Sequence, residues 1–250
     1  MMRITFLGTG TSTGIPLIGC ECDTCQSKDE KDKRLRASVL VETQDARLLI
    51  DAGPDLRQQL LKHTVSRLDG ILVTHEHYDH IGGLDDVRPL GSMNIYAEEG
   101  VLHSIRRNMP YCFVENRYPG VPRLHLHSIN TQTFTIHRTE IQPLRLMHAK
   151  LPILGFRIGD FAYLTDVKTI PTETYPFLKN LKVLVLNALR HEPHIAHLNL
   201  EDAIEVALQI NARETFFTHF SHDIGKHEIV SLILPEKMRL AYDDLSFTVE

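Results

Sequence analysis

The stretch Thr74-His75-Glu76-His77-Tyr78-Asp79-His80 follows directly on the apolar run Ile71-Leu72-Val73 and packs three imidazoles and a carboxylate into six consecutive positions. Neutral imidazole and carboxylate are ligands that divalent transition ions prefer. A strand ending in such a cluster delivers them to a sheet edge, within reach of a substrate. Solvated surface histidines would have the same composition, so the reading rests on partners elsewhere in the chain.

The partners come from a chain of 250 residues, 42% hydrophobic and 24% charged, in which apolar runs alternate with polar segments throughout. That balance fits one globular domain over residues 1–250 and excludes disordered and fibrous classes. No run approaches the roughly 18 apolar residues of a membrane span. The sequence enters a strand from Arg3 onward without a cleavable leader pattern, which points to a cytoplasmic protein without membrane partners. The formal charge of -5 supplies no bulk attraction for phosphate backbones, so nucleic acid is disfavoured as a partner and a small substrate is expected. The composition has 15 His against 4 Cys. Cys20, Cys22 and Cys25 are too closely spaced for a disulfide framework and form a metal knuckle within an insertion at about residues 19–36. His222, in His219-Phe220-Ser221-His222, is available as the fourth ligand of a tetrahedral structural zinc.

Periodicity predicts strands over 3–7, 38–42, 47–51, 69–74 and 94–97, with a helix over 54–63 and a short one over 84–90. Residues 8–14 form a Gly-rich turn that lacks the lysine of a P-loop and is better taken as a plain loop. Residues 27–36, dominated by charge, read as a solvated loop or helix face. Asp51 is either an acceptor that orients the histidine loop or a turn former. Residues 108–123 form a long ordered loop, and Cys112 is a buried thiol. Further strands are expected over 124–129, 133–136, 141–147, 154–158, 161–165, 182–187, 214–218 and 246–249. Helices are expected over 172–178, 200–210 and 225–234, and Asp243-Asp244 are turn residues. The pattern is α/β (α+β): two strand-rich halves covered by helices.

Three of these strands end in potential ligands: His148, Asp166 and His219. With His75, His77, Asp79 and His80 they make a set that fits two metals. Two nearby cations stabilise both the attacking and the leaving oxygen of an in-line displacement at phosphorus, which favours phosphodiester hydrolysis. Zinc, manganese and iron all suit such ligands.

The segment 74–80 resembles the His-x-His-x-Asp-His signature of the metallo-β-lactamase superfamily, and His148, Asp166 and His219 follow in that family's order. The resemblance implies a four-layer αββα sandwich, with His75, His77 and His148 on one metal, Asp79, His80 and His219 on the other, and Asp166 bridging. With Leu7-Gly8-Thr9-Gly10 and the cysteine knuckle, the chain is similar to the phosphoribosyl cyclic phosphodiesterases of the carbon-phosphorus lyase pathway, relatives of the tRNA 3′-processing endonucleases. It follows from the resemblance that a metal-bridging hydroxide attacks a small cyclic phosphate, a ribosyl 1,2-cyclic phosphate or a 2′,3′-cyclic nucleotide. Asp79 would position the hydroxide, and His197 would assist by a hydrogen bond or a proton, with His191 and His194 as competitors. A role for His197 as a cap on the helix from Leu200 stands beside this. A homodimer is allowed for. The competing functions are tRNA 3′-processing, thioester or lactone hydrolysis on the same scaffold, and non-catalytic zinc binding.

Overall fold

The structure is a computed structural model that describes residues 1–116 and 118–250. Its strands follow the apolar runs. β1 (Met2–Gly8), β2 (Ser38–Glu42), β3 (Arg47–Ile50), β4 (Gly70–Leu72), β5 (Ser92–Ala97) and β6 (Arg123–Ser128) build one sheet. β7 (Phe134–Ile136), β8 (Thr139–His148), β9 (Leu151–Ile158), β10 (Phe161–Leu164), β11 (Val183–Asn187), β12 (Glu214–Thr218) and β13 (Met238–Leu240) build the other, and β14 (Ser246–Val249) returns to the first beside β1.

Strands covered on both faces need apolar residues at successive positions, which is why the runs scarcely alternate. Ile4, Phe6, Leu48 and Ile50 of the first sheet share one core with Phe156, Tyr163, Val185 and Phe216 of the second. The intervening Leu7, Leu49 and Ile71 turn outward to pack with Leu56 and Leu60 of α1 (Leu56–Lys62), Ile81 of α2 (Tyr78–Ile81) and Ile105 of α3 (Glu99–Asn108). Leu184 and Leu186 likewise face Ala203 and Ala207 of α4 (Leu200–Ile210) and Val230 of α5 (His227–Ser231). The result is the expected sandwich of two mixed sheets between helices.

β3 to β6 are mutually parallel, as are β10 to β13. Within each sheet the carboxyl ends of these strands emerge together, the edge at which open α/β sheets bind ligands.

Several local expectations change. Residues 84–90 and 172–178 are 3₁₀ turns, Leu84–Leu90 and Thr172–Leu178, containing Pro89 and Pro176, which lack the N–H a regular helix needs. The last helix shortens to α5, and α3 and β13 were not anticipated; α3 is signalled only by Val101, Leu102 and Ile105 among polar residues.

The charged stretch 27–36 is not simply solvated: Asp32 and Arg34 are 1% and 2% exposed. Arg34 donates to Thr9 Oγ1 at 2.8 Å and to the Ala241 carbonyl at 2.6 Å, and its guanidinium lies 4.5 Å from the centre of the Phe220 ring. Asp32 accepts from Ser27 Oγ at 2.6 Å and from the His227 amide at 2.7 Å. Buried charges persist only when bonded in this way. Nor is Asp243 only a turn residue, since it accepts from Thr9 Oγ1 at 2.6 Å and from the Leu35 amide at 2.7 Å. The Gly-rich loop is a packing element: Thr9 accepts from the Phe220 amide at 3.0 Å, and the Thr11 amide donates to the Phe220 carbonyl at 2.8 Å. A Cβ on Gly8 would lie 2.0 Å from the Arg36 carbonyl oxygen.

Candidate metal centre

The histidine loop is fastened to the sheet by one buried carboxylate. Asp51, just beyond β3 and 0% exposed, accepts from the Thr74 amide and from Thr74 Oγ1, each at 2.9 Å, and from His80 Nδ1 at 2.7 Å. Asp51 therefore both turns the chain, with φ 63°, and orients the loop. Asp166 after β10 and His219 after β12 have the same left-handed backbone, φ 58° and 61°. Such residues cost about 1 kcal/mol or more in strain and mark positions the surroundings over-determine. Each sharp exit at a strand end throws a side chain toward one point.

There the structure brings together all seven residues expected from the sequence. Asp166 Oδ1 lies 3.9 Å from His75 Nε2, while Asp166 Oδ2 lies 3.3 Å from both His80 Nε2 and His219 Nε2. Asp79 Oδ2 is 3.2 Å from His80 Nε2 and 3.7 Å from His219 Nε2. His77, exposed at the mouth, places Nδ1 3.0 Å from His75 Nε2, and its ring centre lies 5.1 Å from that of His148. Asp166 thus reaches His75 with Oδ1 and both His80 and His219 with Oδ2.

The donor set fits divalent cations. His80 gives its Nδ1 proton to Asp51, and His148 gives its own to the carbonyls of Asp166 and Ala196, both at 2.9 Å. Thr74 Oγ1 donates to Asp51 and so accepts from His75 Nδ1 at 2.9 Å. In all three rings an outer partner holds Nδ1 and leaves Nε2 as the atom turned to the cluster, the arrangement outer-shell partners impose on metal-ligating histidines. His80 Nε2 and both nitrogens of His219 are buried without a hydrogen-bond partner among the described residues. Buried polar atoms rarely stay unpaired, and the two Nε2 atoms face carboxylate oxygens at the separation of co-ligands.

The electrostatics agree. Burial opposes a charge on His80, yet Asp51, Asp166 and Asp79 outweigh it and hold its proton well above the usual imidazole range. Burial also opposes charge on Asp79 and Asp166, but His80 and His219 keep both carboxylates below their ordinary range. Burial drives His75 far down, leaving it neutral and able to coordinate. The ionised Asp79 and Asp166 in this pocket call for positive charge, which a proton on His80 supplies only in part.

His197 is 8% exposed, and its ring lies 4.6 Å from that of His148 and 5.0 Å from that of His219. Its Nδ1 is buried without a hydrogen-bond partner among the described residues, 3.8 Å from Asp166 Oδ1. Burial, aided by His219, pushes it down to about 3, so the ring is neutral. It is not a helix cap, because Asn199 caps α4 by accepting from the Asp202 amide. His191 bonds away from the cluster, to the Ile224 carbonyl at 3.0 Å, and His194 stands beside His197 with ring centres 5.0 Å apart.

A second cluster lies three residues beyond His219. His222 Nδ1 is 3.4 Å from Cys20 Sγ and 3.3 Å from Cys22 Sγ, and Cys25 Sγ completes a group whose ligand atoms all lie within 4.8 Å of one another. Ligands on a tetrahedral zinc at the usual bond lengths stand about 3.6 Å apart from sulfur to nitrogen. Backbone N–H groups of Leu17 and Cys25 point at Cys25 Sγ and Cys22 Sγ, at 3.3 and 3.5 Å. The His222 contact brings the Cys22 thiol down to about 6, while burial pushes Cys25 up to about 11. Sequence reasoning missed the part played by Thr74; its place directly before His75 was the available signal.

The pattern of the β-lactamase superfamily domain matches residues 46–220, and the chain belongs to that superfamily. Among solved structures, a diphosphatase from the PhnP family superposes with a TM-score of 0.94 at 36% identity, covering 100% of this chain and 98% of that one. Zn(2+)-bound PqqB from Methylobacterium extorquens gives 0.80 at 18% identity over 99% and 100% of the two chains, a likeness of fold. An octanoyltransferase of Porphyromonas gingivalis is 43% identical over 255 residues, 100% of this chain and 52% of that protein, so the chain spans about half its length. The superfamily and the diphosphatase support a metal-dependent hydrolase. No helix among the described residues is long and apolar enough to cross a membrane.

Proposed function

We propose that the chain is a dinuclear-metal phosphodiesterase acting on a small cyclic phosphate. The observation that carries this reading is the division of Asp166, with Oδ1 on the His75 side and Oδ2 3.3 Å from both His80 and His219. His75, His77 and His148 would hold one divalent ion, Asp79, His80 and His219 the other, and Asp166 both. Zinc or manganese, or else iron, would lower the pKa of a water and neutralise charge on the phosphoryl oxygens.

The chain's own residues supply the rest. Asp51, Thr74 and the carbonyls of Asp166 and Ala196 hold His80, His75 and His148 in the tautomer that offers Nε2. Asp79 sets the orientation of the attacking group. Neutral His197, on the Oδ1 side of Asp166, donates a hydrogen bond to the phosphoryl or leaving oxygen, which its lowered pKa favours over proton transfer. Cys20, Cys22, Cys25 and His222 would hold a structural zinc. The 36% identical diphosphatase, matched end to end, supports attack at phosphorus.

A thioester or lactone hydrolase is the second reading, prompted by the relative named octanoyltransferase. The competing tRNA-processing role has no support in the charge of -5. The deciding experiment measures cleavage of bis(p-nitrophenyl) phosphate and of an acyl thioester by wild type, chelated protein and Asp166→Asn, with bound metal counted by mass spectrometry. Chelation and Asp166→Asn should each lower phosphodiester cleavage at least about 100-fold, and metal should restore only the former. Phosphodiester cleavage that survives both, or a faster thioester reaction, would sink the proposal.

A further inference from the structure

Three of the candidate ligands are preceded directly by a buried threonine: Thr74 before His75, Thr165 before Asp166 and Thr218 before His219, exposed by 1%, 0% and 0%. A β-branched residue suits the end of a covered strand, and a threonine adds a hydroxyl beside the ligand that follows. The three hydroxyls differ in what they bond. Thr74 Oγ1 serves His75 and Asp51. Thr165 Oγ1 donates to Asp166 Oδ2 at 2.8 Å. Thr218 Oγ1 is buried without a hydrogen-bond partner among the described residues.

The backbone at Asp166 has little freedom. The peptide that follows it is bonded at both polar atoms: its carbonyl accepts from His148 Nδ1 at 2.9 Å, and the Val167 amide donates to Asn187 Oδ1 at 2.6 Å. Asn187, itself 0% exposed, also donates to the Val167 carbonyl at 3.2 Å. What remains open is rotation of the carboxylate about its own side-chain bonds. An ionised carboxylate only accepts, so the Thr165 hydroxyl is the donor that fixes this rotation. With that bond in place Oδ2 stands 3.3 Å from both His80 Nε2 and His219 Nε2, while Oδ1 is left facing His75 Nε2 at 3.9 Å and His197 Nδ1 at 3.8 Å.

We propose that Thr165 is a positioning residue of the metal centre, whose hydroxyl holds the plane of the Asp166 carboxylate so that each oxygen serves one ion. This rests on the reading of Asp166 as a ligand shared by two ions. Loss of an outer-shell partner of this kind typically weakens metal binding by about 10–100-fold. The loss falls on the ion that Oδ2 would hold with Asp79, His80 and His219. Thr218 is the contrast within the same site: equally buried and equally next to a ligand, it has a hydroxyl that bonds nothing among the described residues.

The test is manganese binding to chelator-treated protein, with the free ion counted by electron paramagnetic resonance. Manganese prefers carboxylate and imidazole to thiolate, which keeps the cysteine cluster out of the titration. Wild type should take up two ions. In Thr165→Val, or in Thr165→Ala should the branched variant not fold, one affinity should fall about tenfold or more and the other by less than about threefold. Thr165→Ser, which keeps the hydroxyl, should stay within about threefold of wild type for both ions, and so should Thr218→Val. If Thr165→Val binds like wild type, if Thr165→Ser weakens as much as Thr165→Val, or if Thr218→Val does so, the hydroxyl does not position Asp166 and the proposal falls while the shared-ligand reading stands. If wild type takes up a single ion, or Asp166→Asn leaves both affinities unchanged, the shared-ligand reading falls and takes the proposal with it.

Discussion

Replacing Asp51 by Asn tests whether the metal centre is set from beneath. Asp51 Oδ2 accepts from His80 Nδ1 at 2.7 Å and from Thr74 Oγ1 at 2.9 Å, while Oδ1 accepts from the Thr74 amide at 2.9 Å. An amide of the same shape keeps one acceptor and turns the other into a donor, so either His80 Nδ1 or the Thr74 amide loses its partner. A buried donor left unpaired costs about 1–3 kcal/mol, and in a chain of this size about 2 kcal/mol lowers the melting temperature by about 4–8 °C. Loss of an outer-shell partner typically weakens metal binding by about 10–100-fold. The deficit should fall on the ion that Asp79, His80 and His219 would hold in the proposed centre. The ion that His75, His77 and His148 would hold is linked to Asp51 through Thr74 Oγ1 and should change by less than about threefold. Calorimetric titration of chelator-treated wild type and Asp51→Asn with zinc resolves the two affinities. If both weaken alike, or neither moves, Asp51 does not act through His80 and the reasoning fails.

Gly53→Ala would place a Cβ 2.1 Å from the Asp79 carbonyl oxygen; the clash with backbone should destabilise the fold by about 3 kcal/mol in urea unfolding and weaken metal binding together. Cys25→Ser or His222→Ala should lower bound zinc by about one equivalent, read by a colorimetric chelator, with the thiolate-to-cobalt absorption lost after cobalt substitution. Stability should also depend on Asp243, whose carboxyl burial pushes up to about 6. Between pH about 4 and 6 the folded chain keeps a proton there that the unfolded chain has released. The wild type should therefore lose stability relative to Asp243→Asn as pH rises through that window, by up to about 3 kcal/mol. Parallel urea-unfolding profiles from pH 4 to 7 would contradict this.

What was legible in the sequence was local. Ligand chemistry is written in residue type, as in His75 to His80 and Cys20 to Cys25, and strand ends are written in runs such as Phe161-Ala162-Tyr163-Leu164. Together these determined the sandwich, the metal-binding character and the seven candidate ligands, because a residue directly after a buried strand has little choice but to emerge at the sheet edge. Only the tertiary structure decided how these residues are placed and held. The contacts of the two Asp166 oxygens, the anchoring of His80 by Asp51 and the placing of His197, not His191, beside the cluster all depend on which strand ends meet. Arg34 shows the same limit: inside a charged stretch it reads as solvated, yet partners at Thr9, Phe220, His227 and Ala241 enclose it. Whether a charge is buried depends on groups brought near by sheet pairing and packing across most of the chain, and no local window of sequence contains them.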